Sequence, residues 1–242
     1  SPVNEATREQ CGAMNSTPGK DGRRRRCNNL AVRGESKCYR HQTKRQLTEK
    51  IVEELKATNK VEPKRHERTA VLFCDIAGFT AFCDQHSPEE VVGHLQEIYE
   101  AFEELTLKYD LEKIKTIGDS YFAVGGLQTD QIQAARNVIE FSKEMLETIN
   151  RIDKNTTEME LKIRIGVHTG PVVAGVIGKN KFAYDLWGAS VNMANRLETT
   201  CPPGNIQISE YTKNILGDVY NYNLKEKTNI KGIGQVNTYI IV

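Results

Sequence analysis

The chain has 242 residues, 38% of them hydrophobic and 27% charged, enough for one catalytic-sized domain with its own core plus an appendage. Its apolar runs are no longer than stretches such as AVLFC at 70–74, far short of the ~20 residues that span a bilayer. With no basic-then-apolar leader at its start, the expected compartment is cytoplasmic. The net charge of +1 hides a split, since residues 1–69 carry 17 Lys/Arg against 9 Asp/Glu and residues 70–242 carry 16 against 23. Two regions with different partners follow from that split, the basic one being open to nucleic acid, to a protein or to water alone.

Residues 1–45 have little apolar periodicity and four arginines in a row at 23–26, so they cannot bury an ordinary core. Cys11, Cys27, Cys38 and His41 are separated by 15, 10 and 2 residues, and the closing C-x-x-H can grip one tetrahedral metal. Cys₃His is a normal structural zinc set, and zinc lets a segment without a core hold a fold. The spacing resembles a small zinc-knuckle repeat enlarged by GKDGRRRR. The alternative is free cysteines in a loose tail. Leu47, Ile51 and Leu55 then fall at i, i+4 and i+8, a narrow stripe that predicts a linker helix over 46–67, stopped near Pro63 and suited to pairing with another helix.

The expected catalytic domain is 68–242. TAVLFCDI at 69–76 reads as a buried strand. Ser87-Pro88-Glu89-Glu90 opens a helix running to about residue 108, with acids at the positive end of its dipole. Residues 111–126 predict a hairpin turning at Gly118-Asp119, and 130–150 predict a second helix. Leu161, Ile163, Ile165 and Val167 alternate as a strand with one polar face. Beyond the Gly-rich PVVAGVIG and FAYDLWG come a helix at 190–199 and strands at IQIS and VNTYIIV. Strands and helices alternate with mixed connections, so the class is α/β or α+β around one mixed sheet flanked by helices.

Asp75 leaves the first strand and Asp119 occupies the hairpin turn. By spacing alone they are either a site for a hard divalent cation or two turn aspartates capping backbone amides. The wider text adds a resemblance. FCDIAGFT, KIKTIGDSYFAVGG, RIGVHTGPVVAGVIG and YDLWGASVNMANRLE, in that order, resemble the catalytic domain of class III nucleotidyl cyclases from about residue 68 to the end. The resemblance implies a homodimeric or pseudo-dimeric enzyme that turns a nucleoside triphosphate into a 3′,5′-cyclic monophosphate and pyrophosphate. It makes Asp75 and Asp119 the ligands of two Mg²⁺ or Mn²⁺ ions, with the backbone carbonyl of Ile76 a third ligand.

The same resemblance puts Lys115 where adenylyl cyclases carry lysine and guanylyl cyclases glutamate, and Asp185 where guanylyl enzymes carry cysteine or another small residue. Lysine donates to adenine N1 and aspartate accepts from the 6-amino group, the opposite of what guanine needs. Without the motifs the two are an exposed strand lysine and a turn aspartate. Asn192 and Arg196, four apart, share a helix face, either as a plain polar stripe or, by the resemblance, as the pair that orients the ribose and stabilises the α-phosphoryl. Arg164 and Lys231 resemble the contacts to the terminal phosphates, although KGIG departs from the commoner KGKG. His168 in HTG is expected to be structural, and Cys74, Cys83 and Cys201 read as core or surface thiols. The leading expectation is an ATP-consuming, homodimeric adenylyl cyclase. Its rivals are a guanylyl cyclase and a nucleotide- or RNA-binding regulatory module.

Overall fold

The computed structural model describes residues 8–10, 14–18, 24–26, 30–32, 53–54, 61–127, 129–156, 161–178, 182–230, 232 and 234–242. It divides into two units, 1–61 and 62–242. In the first, β1 (Arg8–Gln10) pairs antiparallel with β4 (Leu30–Val32), and β2 (Met14–Pro18) with β3 (Arg24–Arg26). No apolar alternation announces these strands. Cys11, Cys27, Cys38 and His41 lie outside the described residues, as does the stretch 46–60 of the expected linker apart from Glu53 and Glu54, which are helical.

The second unit runs β5 (Lys64–Ala77), α1 (Phe79–Gln85), α2 (Pro88–Tyr109), β6 (Leu111–Ile117), β7 (Ser120–Gly125), α3 (Gln131–Thr156), β8 (Lys162–Ile177), β9 (Ala183–Trp187), α4 (Ala189–Thr200), β10 (Ile206–Ser209), α5 (Glu210–Leu216), β11 (Tyr222–Ile230) and β12 (Gly234–Ile241). One correction falls at its start. Residues 64–67, expected to end the linker helix, belong to strand β5. Lys64, Arg65 and His66 pair with Ala174, Val173 and Val172 of β8, and the register then shifts before Thr69. Their charged side chains show no strand period, so only the backbone pairing reveals them.

The eight-stranded sheet has the order β11-β12-β10-β8-β5-β7-β6, with β9 added on β8. Strands β10 and β8 are parallel and the other pairs antiparallel, so the sheet is mixed and the fold is α+β. Its centre is a β-α-β-β-α-β unit in which β5 lies between β8 and β7, the hairpin partner of β6. The 70–74 run is apolar throughout because both of its faces are covered. Ala70, Leu72, Cys74 and Ile76 face a core shared with Phe82, Ile98, Phe102, Ile139 and Met145 of α1, α2 and α3. Val71 and Phe73 face the other way, toward Phe122, Val124, Val172, Leu186 and Ala194. Each fully buried Val, Leu, Ile, Phe or Met among them contributes about 1.5–3 kcal/mol.

Local chemistry sets the helix ends. Ser87 Oγ accepts from Glu90 N at 3.3 Å while the Glu90 carboxylate accepts from Ser87 N at 2.9 Å, a capping box with Pro88 in the first turn that fixes where α2 begins. Helix α4 lies on β8 at Gly166, where an added Cβ would stand 2.0 Å from Glu198 N and 2.4 Å from the Ala194 carbonyl. Because both obstacles are backbone, Gly166→Ala is expected to lift α4 and cost about 2–3 kcal/mol of stability. Urea denaturation measures it, and an unchanged midpoint would show that α4 does not press on this strand.

Candidate active site

Asp75 lies on β5 directly opposite Arg164 on β8. Arg164 Nη2 and Nε donate to Asp75 Oδ2 at 2.6 and 3.1 Å, and Nε is also 2.7 Å from Glu198 Oε1 on α4. Asp119 occupies the two-residue turn between β6 and β7, next to Gly118, whose φ of +61° is a conformation that favours glycine. The Tyr99 hydroxyl donates to the Gly118 carbonyl at 2.9 Å, tying this turn to α2.

The electrostatics report how close the acids are. Burial, and next the Asp75 carboxylate, push the Asp119 pKa up to about 6. Burial also raises Glu198, to about 7, with Arg164 opposing and Asp75 reinforcing the shift. One arginine therefore serves three carboxylates, leaving a site short of positive charge. Among the described residues no group of three or more His, Cys, Asp or Glu side chains could hold a metal ion. Two aspartates and the carbonyl of Ile76 are a smaller, all-oxygen set, and they fit a hard divalent cation that completes its shell with substrate phosphates and water.

Lys115 on β6 and Asp185 on β9 form an ion pair, and the other Asp185 oxygen accepts from Leu186 N at 2.9 Å. Asn192 is exposed and Arg196 half-buried, one turn apart on α4. Lys231 lies outside the described residues. Among the described residues no hydrogen bond or ion pair joins Asp75, Asp119 and Arg164 to Lys115 and Asp185, or either set to Asn192 and Arg196. Among the described residues, Asp75 and Arg164 are thus linked to each other and Lys115 to Asp185, with no such link between the two sets.

His168 makes a structural contact. Its Nδ1 is 2.8 Å from Ser209 Oγ, which in turn is 2.9 Å from Thr212 Oγ1. Burial lowers its pKa to about 4, so it is neutral at ordinary pH. Cys74 and Cys201 are buried, Cys83 is half-buried, and all three are free. A groove of about 590 Å³ lined by His168, Pro171, Trp187, Met193 and Tyr211 among others contains none of the expected site residues.

Two participants escaped the sequence reading. Glu198 falls with the buried Ala194 and Leu197 at i, i+3, i+4, and a carboxylate on the apolar face of a helix was the signal that could have found it. Tyr99 had no such mark, because its partner is a backbone carbonyl 19 residues away.

Comparison with known proteins places these features in a family. Residues 61–242 match the family described as "Adenylate and Guanylate cyclase catalytic domain". The chain is similar to adenylate cyclase type 9 of Gallus gallus, 36% identical over 203 residues, covering 78% of this chain and 15% of that protein. It is as similar to guanylyl cyclase C of Cavia porcellus, 38% identical over 204 residues, covering 81% of this chain and 19% of that one. Among solved structures, the adenylyl cyclase CyaB of P. aeruginosa superposes with a TM-score of 0.71 at 26% identity, over 75% of this chain and 96% of that one. The chain thus spans less than a fifth of these two curated relatives.

The raised pKa of Asp119 makes a prediction with a definite sign. A carboxyl whose folded pKa lies near 6, above its ordinary 3.8, stabilises the metal-free fold fully below the lower value and loses that contribution as pH rises through the upper. In EDTA, Asp119→Asn is therefore expected to gain stability relative to the unsubstituted chain between pH 4 and 7, followed by urea denaturation. A constant difference across that window would mean that Asp119 ionises freely beside Asp75.

Proposed function

The chain belongs to the adenylate and guanylate cyclase catalytic-domain family, and within it we propose that the chain converts ATP to 3′,5′-cyclic AMP and pyrophosphate at sites shared between two copies. The observation that carries the choice of base is the Lys115–Asp185 pair. A lysine donor held beside an aspartate acceptor matches N1 and the 6-amino group of adenine. Against guanine the same pair sets a carboxylate on O6 and an ammonium on N1–H, a mismatch that gives roughly 10²–10⁴ discrimination.

In the reaction the ribose 3′-oxygen attacks the α-phosphorus, the bond to the leaving pyrophosphate breaks, and the 3′-hydroxyl proton is lost. Two Mg²⁺ or Mn²⁺ ions at Asp75, Asp119 and the Ile76 carbonyl would lower the pKa of that hydroxyl and offset charge on pyrophosphate. Asn192 orients the ribose. Arg196, with its planar fork of donors, binds the α-phosphoryl oxygens as charge builds on them. Arg164 and Lys231 hold the terminal phosphates. A structural Zn²⁺ on Cys11, Cys27, Cys38 and His41 belongs to the same proposal and rests on their spacing alone.

Sharing between copies accounts for the separate clusters: the aspartates of one chain serve a nucleotide whose base and ribose are read by the other, and a two-fold axis makes two equivalent sites. Guanylyl cyclase is the second reading, favoured by the equal similarity to guanylyl cyclase C. Incubating the chain with ATP or GTP and Mg²⁺ or Mn²⁺, then separating the products, is expected to give cyclic AMP in large excess. Cyclic GMP in excess would overturn the assignment, and no cyclic product from either would leave a binding module. Changing Lys115 to Glu and Asp185 to Cys together is expected to lower ATP turnover and raise GTP turnover, and an unmoved ratio would take both residues out of the base pocket.

Complementation tests the sharing. Asp75→Ala and Arg196→Ala are each expected to be nearly inactive, yet half of randomly mixed dimers are mixed, and each of those holds one intact site. Activity is then expected to return to roughly a quarter of that of the unsubstituted protein. No recovery, with chain exchange shown by pull-down of a tagged copy, would mean that each site is built within one chain.

A further inference from the structure

Nothing in the proposed reaction uses Glu198, yet it is a carboxylate with 4% of its surface exposed, placed against the phosphate-binding arginine. Its Oε1 stands 2.7 Å from Arg164 Nε, but that N–H is aligned on Asp75 Oδ2 at 3.1 Å, and Nη2 donates to the same Asp75 oxygen at 2.6 Å. Among the described residues, Oε1 is consequently buried with no hydrogen-bond donor aligned on it, while Oε2 has only a long contact of 3.5 Å from the Thr199 hydroxyl. A buried acceptor left without its donor is costly. Here the missing donor is already within reach, committed to a different carboxylate.

Asp75 is asked to do two incompatible things. Its Oδ2 receives both Arg164 hydrogen bonds, and a divalent cation on the same oxygen would meet the guanidinium charge at contact distance. We propose that Arg164 is a latch that changes partner: without metal it sits on Asp75, and when Asp75 takes a cation it turns its Nε–H to Glu198. Glu198 is then a positioning residue. It keeps the released guanidinium beside the site, where the terminal phosphates bind, instead of letting it swing into solvent. This rests on the reading of Asp75 as a metal ligand, and it adds that metal entry is opposed by an internal cation and assisted by a second carboxylate.

The test uses Mn²⁺ alone, titrated into the full chain without nucleotide, with free Mn²⁺ read by electron paramagnetic resonance. Arg164→Gln is expected to tighten Mn²⁺ binding about tenfold, and Glu198→Gln to weaken it several-fold, because Arg164 is left with Asp75 as its carboxylate partner. In the Arg164→Gln background, Glu198→Gln is expected to change little, the coupling that separates a latch from mere packing. Arg164→Gln without effect, Glu198→Gln equally effective in both backgrounds, or no binding by either the unsubstituted chain or Arg164→Gln would each overturn the latch. Asp75→Asn separates the two levels. If it leaves Mn²⁺ binding intact, the metal-site reading fails and the latch with it, whereas if it abolishes binding while Arg164→Gln changes nothing, the latch alone fails. Thermal melting checks that the variants are folded, and should Arg164→Gln melt out, Arg164→Lys, a single head in place of a fork, is expected to tighten binding by a smaller factor.

Discussion

Strand β8 crosses β5 so that Arg164 faces Asp75, and that one register decides the electrostatics of the whole site. A slip of one residue would turn Arg164 to the other face of the sheet, among Ile98 and Phe102, and leave Asp75, Asp119 and Glu198 without a cation. Acids crowded together in that state, one buried and two half-buried, cannot all ionise, and burial and mutual repulsion already raise Asp119 and Glu198 with Arg164 present. The site is thus built unfinished. Its shortage of positive charge suits the divalent cations proposed for it, while the arginine keeps the crowded carboxylates tolerable without them. This fits a general property of buried ionic groups, which contribute little net stability and are better understood as fixing one arrangement among alternatives.

Selection of the base has a different physical origin. Overall identity does not decide between ATP and GTP, since relatives that carry adenylate and guanylyl cyclase names match this chain at 36% and 38%. In the proposed function the decision rests on hydrogen-bond polarity at two positions, and polarity is an all-or-none property of a donor or acceptor. Lys115 and Asp185 hold each other in the nucleotide-free chain. On that proposal, a purine entering between them exchanges one internal ion pair for two hydrogen bonds of matching sense, and the pair shields both groups until a base of the right pattern arrives.

Much of the fold was legible because local signals agreed. The Ser87 capping box, the Gly118-Asp119 turn and the alternation from Leu161 to Val167 each point to an element that forms. What the sequence concealed was set by pairing partners far away in the chain. Strand β8 continues through Pro171 to Ile177, although proline offers no N–H to a ladder, because β5 and then β9 hold it there. The strand character of 64–67 came from the same long-range pairing. The seven-residue α5 lacked a period long enough to read, and β11, nine residues long, is too polar to show an apolar alternation. At the site, the motif residues were legible as chemistry, whereas Glu198 was hidden by its setting. A glutamate next to an Asn-x-x-x-Arg stripe passes for more polar surface unless the burial of Ala194 and Leu197 on the same side is noticed.

That burial leads to the link between fold and charge. Gly166 is two residues from Arg164 on β8, so the two positions share a face of the sheet. At Gly166 the missing side chain lets the backbone of α4 come down onto the strand, with Glu198 N and the Ala194 carbonyl occupying the space a Cβ would need. At Arg164 a long side chain meets the carboxylate that this close approach delivers. With any larger residue at 166, α4 would ride higher, and Glu198 would move away from the arginine it pairs with. Asn192 and Arg196 ride on the same helix, so the depth that sets the charge around the aspartates also sets where these two side chains present themselves. One glycine therefore couples the clusters mechanically even though no hydrogen bond among the described residues joins them, and the residue with the least chemistry fixes the geometry of those with the most.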